Sequence, residues 1–376
     1  MSELAALLEL LYTARERWQT VRATLWEWTH LERSQLAHER HLERTRGITG
    51  PSLTVGAYGD APGQYPRELA FTSRLWLDRG GRFREEREDG RLTLVGDARR
   101  AVVYSPESGP IERESPGVRP TVAALVDPAV LIPSLELSRA GETSLADRHA
   151  LVVEARPRLP AVPPADLVPL GCDGVCLLVD DERGVVLRLE AQLHGEPVHV
   201  VEVKEVAFDD PIADDLFVFE PPAGEHVRPA AEAYPSRNVT LEEAARSASF
   251  TVLTPARLPS RWRMHALYRP ATERPRLAET VTILFSDSES LHHFGVEQAA
   301  ERLLAWRLGA ETVVENDGLE LRAVGGDELS GPPLEVHLER SGTHVRIYSD
   351  NIDQASLVDV ARSLAPAPTG PPPTHD

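Results

Sequence analysis

His292 and His293 are the chain's adjacent histidine pair, and paired imidazoles can begin a zinc site. Such a site needs further ligands, and no Cys or third His stands near this pair at ligand spacing. His30, His38 and His41 lie on or beside the first predicted strands, where alternation sends neighbouring side chains to opposite faces and does not gather all three. Four aspartates fall within "DDPIADD", residues 209–215, but a calcium loop needs oxygens at set intervals around a turn glycine, and this stretch has none. The run "REEREDG", residues 84–90, reads as a solvated strand edge. No pair of carboxylates is singled out for glycosidic chemistry. The chain has no G-x-S-x-G elbow, no P-loop, no G-x-G-x-x-G after a strand and no H-E-x-x-H. These residues point to a protein that is not an enzyme and that carries no metal and no cofactor.

Cys172 and Cys176, in "GCDGVC", are too few for a disulfide scaffold or a four-Cys zinc site. One local bridge across Asp173-Gly174-Val175 and two plain thiols beside a strand both fit the spacing; the thiols are the simpler reading.

The aromatic residues carry more information. Trp26 and Trp28 flank Glu27, so on a strand the two rings share one face, and Trp76, Phe71 and Phe83 follow in the next predicted hairpin. Each ring can bury ~150–250 Å². Core packing accounts for such rings; the alternative is that they line an apolar groove. On that reading Trp26, Trp28 and Trp76 would face Leu8 and Leu11 of the first helix and Leu131 of an apolar cover, together forming a hydrophobic binding site.

The elements that must position these residues are legible. Leu4, Leu7, Leu8, Leu11 and Tyr12 recur at helical spacing, with Ser2 as a possible cap and Glu3 in the first turn. Such a greasy stripe needs a surface to lie on. "TVRATLWEWTHLERS" alternates as a strand, and "HERHLERTRG" is expected to prolong it as a half-solvated edge. Hairpins are expected at Arg79-Gly80-Gly81 and at Gly96-Asp97, and further strands in "ALVVEARPR", in residues 174–210 and in "DLFVFEPP". Pro221 and Pro222 would end pairing there, and Gly224 would turn the chain away. "TVAALVDPAVLIPSLELS", residues 121–138, reads as short helical turns packed over an opening.

Together these predict an α+β chain in four parts. Residues 1–228 form an unclosed antiparallel β-barrel with a helical lid, 229–239 a linker, 240–366 a smaller α+β domain, and 367–376 a proline-rich tail. The smaller domain opens on a capping box at Thr240 and Glu243 and closes on a helix whose Leu357, Val360, Ala361 and Leu364 share a face.

At 376 residues and a formal net charge of −19, the chain is long enough for two domains and has the wrong sign for nonspecific binding to nucleic acid or anionic membrane. Its basic residues are nearly all Arg, with Lys204 as the sole lysine. No segment approaches the ~20 apolar residues that span a bilayer, so stable membrane insertion is not expected. Glu3 and Glu9 interrupt the first apolar stretch, and as written the protein reads as cytoplasmic.

The N-terminal part resembles the LolA-like lipoprotein-carrier family and the related RseB-type regulators. The matching stretches are "RLWLDRGGRFREE" (74–86), "LTLVGDARRAVVYSPESG" (92–109), "LVDPAVLI" (125–132) and the long run from Val179 to Val227 that ends in "PP-x-G". "GTHVRIYSD" and "LVDVARSL" resemble the small domain that accompanies such modules. The resemblance implies an open half-barrel with an apolar cavity and no catalytic residues. It implies a hydrophobic small molecule or lipidated protein as ligand, or, in the regulator branch, a protein partner. Members are usually exported or membrane-anchored, a departure from the start read here.

Overall fold

The computed structural model describes residues 3–45, 67–114, 123–158, 167–256, 258, 261–273, 276–287, 292–301, 311–316, 319–324, 334–349 and 352–368. The chain divides into two compact units, Met1–His41 with Pro66–Ala230, and Leu42–Tyr65 with Ala231–Asp376.

The first unit is built from two antiparallel meanders that share one sheet. Helix α1 (Glu3–Thr13) leads into β1 (Thr20–His30) and α2 (Leu31–Thr45). The first meander continues with β2 (Glu68–Asp78), β3 (Phe83–Arg87), β4 (Thr93–Gly96), β5 (Arg100–Ser105) and β6 (Gly109–Glu114). The second is β7 (Leu135–Leu145), β8 (Arg148–Pro157), β9 (Gly174–Asp180), β10 (Val186–Leu193) and β11 (Glu196–Phe208). Strand β11 pairs back onto β1, and β12 (Arg228–Pro229) adds a short parallel edge to β6. The order is β12-β6-β5-β4-β3-β2-β1-β11-β10-β9-β8-β7, so β12 and β7 are edges and the sheet does not close into a barrel.

This order explains the lid. After β6 the chain stands at one edge and must reach the other before β7 can begin. The described part of that crossing is α3 (Ala123–Val126) and two 3-10 turns at Pro128–Val130 and Ile132–Ser134. Its Leu125, Leu131 and Ile132 bury against the sheet. The Trp18 indole N–H donates to the Val126 carbonyl at 3.3 Å, and Arg15 pairs with Asp127 at 3.3 Å. Helix α1 lies beside this segment with Leu7, Leu10 and Leu11 buried, each worth about 1.5–3 kcal/mol of apolar burial.

Two glycines let helices approach the strands closely. Gly184 has φ +74°, and a Cβ there would stand 2.4 Å from the Leu10 carbonyl oxygen. Gly171 has φ +85°, and its Cβ would meet the Ala37 carbonyl oxygen of α2 at 1.6 Å. An Arg40–Asp173 ion pair at 2.6 Å holds α2 against the same segment.

Three expectations are corrected. Residues 38–45 continue helix α2 and not an edge strand. Their charges, spaced without period-2 alternation, suit a helix, which buries Ala37. "DLFVFEPP" is not the last strand: Asp214–Phe217 is a 3-10 turn, and no strand follows until β12. The segment instead crosses β3, whose Arg84 donates to the carbonyls of Leu216 and Val218, and Phe219 meets Tyr104 with ring centroids 5.8 Å apart. The stretch 229–239, expected as a linker, contains α4 (Ala230–Ala233) and β13 (Arg237–Val239). The cap expected at Ser2 and most of the tail lie outside the described residues.

The second unit is a smaller α+β layer pair. Its sheet runs β13-β15-β16-β17-β21-β20-β19-β18, comprising β15 (Trp262–Arg269), β16 (Thr280–Asp287), β17 (His293–Ala299), β18 (Glu311–Asn316), β19 (Leu319–Val324), β20 (Leu334–Arg340) and β21 (Thr343–Ser349). Helices α5 (Leu241–Ser247) and α6 (Gln354–Ser363) pack on it through Ala244, Leu357 and Ala361. Strands β14 (Leu253–Pro255) and β22 (Leu364–Pro366) form a separate pair. The Thr240–Glu243 capping box is present, and Asp353 caps α6.

Candidate functional site

Strand β1 alternates without interruption against β2, and this assigns every residue in the centre of the first sheet to a face. Val21, Ala23 and Leu25 face the helices, in register with Leu77, Leu75 and Ser73. Glu27 and Thr29 continue the same inner face, opposite Phe71 and Leu69. Arg22, Thr24, Trp26 and Trp28 therefore occupy the outer face.

The proposed groove residues separate accordingly. Trp26, Trp28 and Trp76, which pairs with Arg22, stand half-buried on the outer face, away from the lid. Leu11 and Leu131 are on the inner side, each 1 % exposed within the packed core, with Leu8 partly buried beside them. The six residues do not converge. The hollow expected beneath residues 1–18 and 121–138 is filled, among the described residues, by Leu7, Leu11, Leu125, Leu131, Leu187 and Leu189. A cleft of about 370 Å³ beside α1 is lined by the apolar Ala6, Leu7, Leu10 and Leu151 and edged by charged groups such as Arg139 and Asp181.

The outer face is a cation-laced aromatic surface. The Lys204 ammonium lies 5.0 Å from the Trp26 ring and the Arg74 guanidinium 5.7 Å from the Trp76 ring. Trp28 donates its indole N–H to Glu68 at 2.9 Å. Alongside, Lys204 and Arg188 both bind Glu202, and Arg188 reaches Glu190 at 2.6 Å. The β-bulge that offsets β11 between Val203 and Glu205 is what leaves Lys204 free to reach Trp26.

The inner face has a second region that residue types alone did not single out. Beyond the core, Leu69, Phe71 and Val103 are half-buried and outside the packed cluster. Glu27, Ser73, Glu85 and Arg87 stand among them, on β1, β2 and β3. Glu85 is 7 % exposed and bonded to the Ser73 hydroxyl; the Arg87 guanidinium lies 3.6 Å from the Phe71 ring centroid. Burial, then the nearby Glu85 carboxylate, pushes the Glu27 carboxyl up to about 7, with Arg87 opposing. Burial also raises Glu85, against the Ser73 bond and Arg87. Next along, His199 meets the Thr29 hydroxyl at 2.9 Å, and burial pushes it down to about 4. The sequence holds two signals for this cluster. One is Glu27, an acid at an inward position of an alternating strand. The other is the charge run 84–90, which reads as a solvated edge but supplies most of β3, paired on both sides with Glu85 buried.

Among the described residues no group of three His, Cys, Asp or Glu is gathered as a metal site requires. Cys172 and Cys176 are free thiols, and burial pushes Cys172 up to about 12, far from a reactive thiolate. No helix of the described residues is long and apolar enough to cross a membrane.

No protein-family model matches the chain, and no curated protein matches it in sequence. Solved structures are similar in fold. A chain of the Pseudomonas aeruginosa MucA/MucB complex aligns over 97 % of this chain and 99 % of its own, at 16 % identity and a TM-score of 0.34. The Mycobacterium tuberculosis lipoprotein LppX covers 56 % of this chain and 99 % of its own, at 9 % identity and a TM-score of 0.33. The LolA-superfamily protein NE2245 from Nitrosomonas europaea covers 58 % and 99 %, at 12 % identity and a TM-score of 0.25.

Proposed function

We propose that the chain is a non-enzymatic binding protein that holds a hydrophobic ligand — an acyl chain, a lipid or a lipidated peptide — against the inner face of its first sheet. The observation that carries this reading is the set of half-buried apolar side chains, Leu69, Phe71 and Val103, standing outside the packed core on that face. Their position differs from the groove expected under α1, where the chain's own leucines already fill the space. Each CH₂ buried is worth about 0.8 kcal/mol, so a ten-carbon stretch supplies roughly 8 kcal/mol before ordering costs. The test is native mass spectrometry of the purified chain together with displacement of Nile red by an alcohol series. Affinity should rise with chain length and fall on Phe71→Ala. Absence of copurified lipid together with no chain-length dependence removes the reading.

The outer face supports a second reading, a module that binds a protein partner. Trp and Arg are enriched in interface hot spots, and Trp26, Trp28 and Trp76 with Arg74 and Lys204 are such a set. On that reading, changing Trp26 and Trp28 to Ala abolishes recovery of a crosslinked partner and leaves Nile red binding intact. Unchanged recovery would count against the outer face as the docking surface.

A further inference from the structure

Among the described residues, the inner-face cluster holds two carboxylates against one guanidinium. From β2 the groups that face Glu27 are Phe71 and Ser73, both uncharged; from β3 they are Glu85 and Arg87; from β11 they are Val201 and, through Thr29, His199. His199 is pushed down to about 4 and stays neutral from pH 5.5 to 9. Among the described residues Arg87 is thus the cation that serves both Glu27 and Glu85, and both feel it.

We propose that this face takes an uncharged apolar ligand and takes it together with a proton on Glu27. The proposal rests on the hydrophobic-ligand reading above and adds its charge selectivity and its regulation. A hydrocarbon laid beside Phe71 strips water from Glu27, and a dry carboxylate without its own counter-charge is costly, so the bound state favours the neutral acid. An anionic head group in the same place would set a third negative charge against one guanidinium, which disfavours free carboxylates as ligands. By linkage, a ligand that raises proton affinity binds more weakly once the free site has lost its proton. Since the free Glu27 titrates at about 7, affinity is level below that pH and falls above it. The fall approaches tenfold per pH unit until the bound site also titrates.

The experiment uses the full chain with Nile red, an uncharged dye, between pH 5.5 and 9, for the wild type, Glu27→Gln and the outer-face control Glu205→Gln. Wild type and Glu205→Gln should weaken above neutrality, and Glu27→Gln should keep its low-pH affinity throughout. At pH 8.5, oleyl alcohol should displace the dye at least tenfold more effectively than oleate. A measurement that needs no variant is proton uptake from weak buffer at pH 7.5, where dye binding should draw up to about three-quarters of a proton per molecule bound. Tight wild-type binding that is flat with pH, without proton uptake, overturns the coupling and leaves the ligand reading standing. Equal or better displacement by oleate overturns the charge selectivity. No dye binding at any pH overturns the ligand reading and the coupling with it.

Discussion

Replacing Glu27 by Gln should make the protein more stable above neutral pH. The carboxamide keeps the shape of the side chain and removes a charge that the fold disfavours. In the unfolded chain Glu27 titrates at its ordinary value of 4.5, and in the fold at about 7. The folded state therefore holds this proton more tightly, and stability is lost as pH rises between those values. The full difference corresponds to about 3 kcal/mol, an upper figure because the side chain keeps some contact with water. Below pH 4.5 wild type and variant should match. From pH 4.5 to 7 the wild type should lose stability relative to the variant, and above pH 7 the gap should be constant. Loss of the Glu27 charge also eases ionisation of Glu85, which widens the gap. Urea unfolding of both proteins at several pH values reads this directly, because titrating groups that do not interact with Glu27 cancel in the difference. Parallel pH profiles for the two proteins would show that Glu27 is solvated in the fold and would refute the reasoning.

Three further outcomes follow from packing. Gly184→Ala should cost about 2–4 kcal/mol in urea unfolding, since it combines a left-handed φ with a Cβ held against the Leu10 backbone. Leu11→Ala, at a site 1 % exposed, should cost about 2–5 kcal/mol, and a value under 1 would mean that α1 is not firmly docked. Thr240→Ala removes one half of the α5 capping box and should lower the stability of the second unit by about 1 kcal/mol, read by amide exchange in α5.

Much of this architecture is local and so was legible. The alternation in residues 20–28, the Gly80-Gly81 and Gly96-Asp97 turns and the apolar runs of β9 to β11 each name a strand or hairpin without reference to the rest of the chain. The crossing segment could be recognised by its prolines and its apolar character. Helix α2 was less legible, although its charged pairs at 32–33, 39–40 and 43–44 recur at helical spacing, because the contact it buries at Ala37 is small and is set by Gly171. Residues 214–219 carry a strand's composition, yet their main-chain groups meet Arg84 and not a ladder.

The sequence by itself determined that Trp26 and Trp28 share a face and that Glu27 takes the other, because the period of a strand is two whatever surrounds it. It could not say which of those faces the helices would cover. That depends on β11 returning to pair with β1 and on the crossing from β6 to β7, contacts between residues far apart in the chain. Tertiary structure alone turned the tryptophans outward, filled the space under α1 with leucine, and placed a lone acid beside Glu85 and Arg87. A carboxyl takes its chemistry from the water it loses and the charges it meets, and both arrive from other strands.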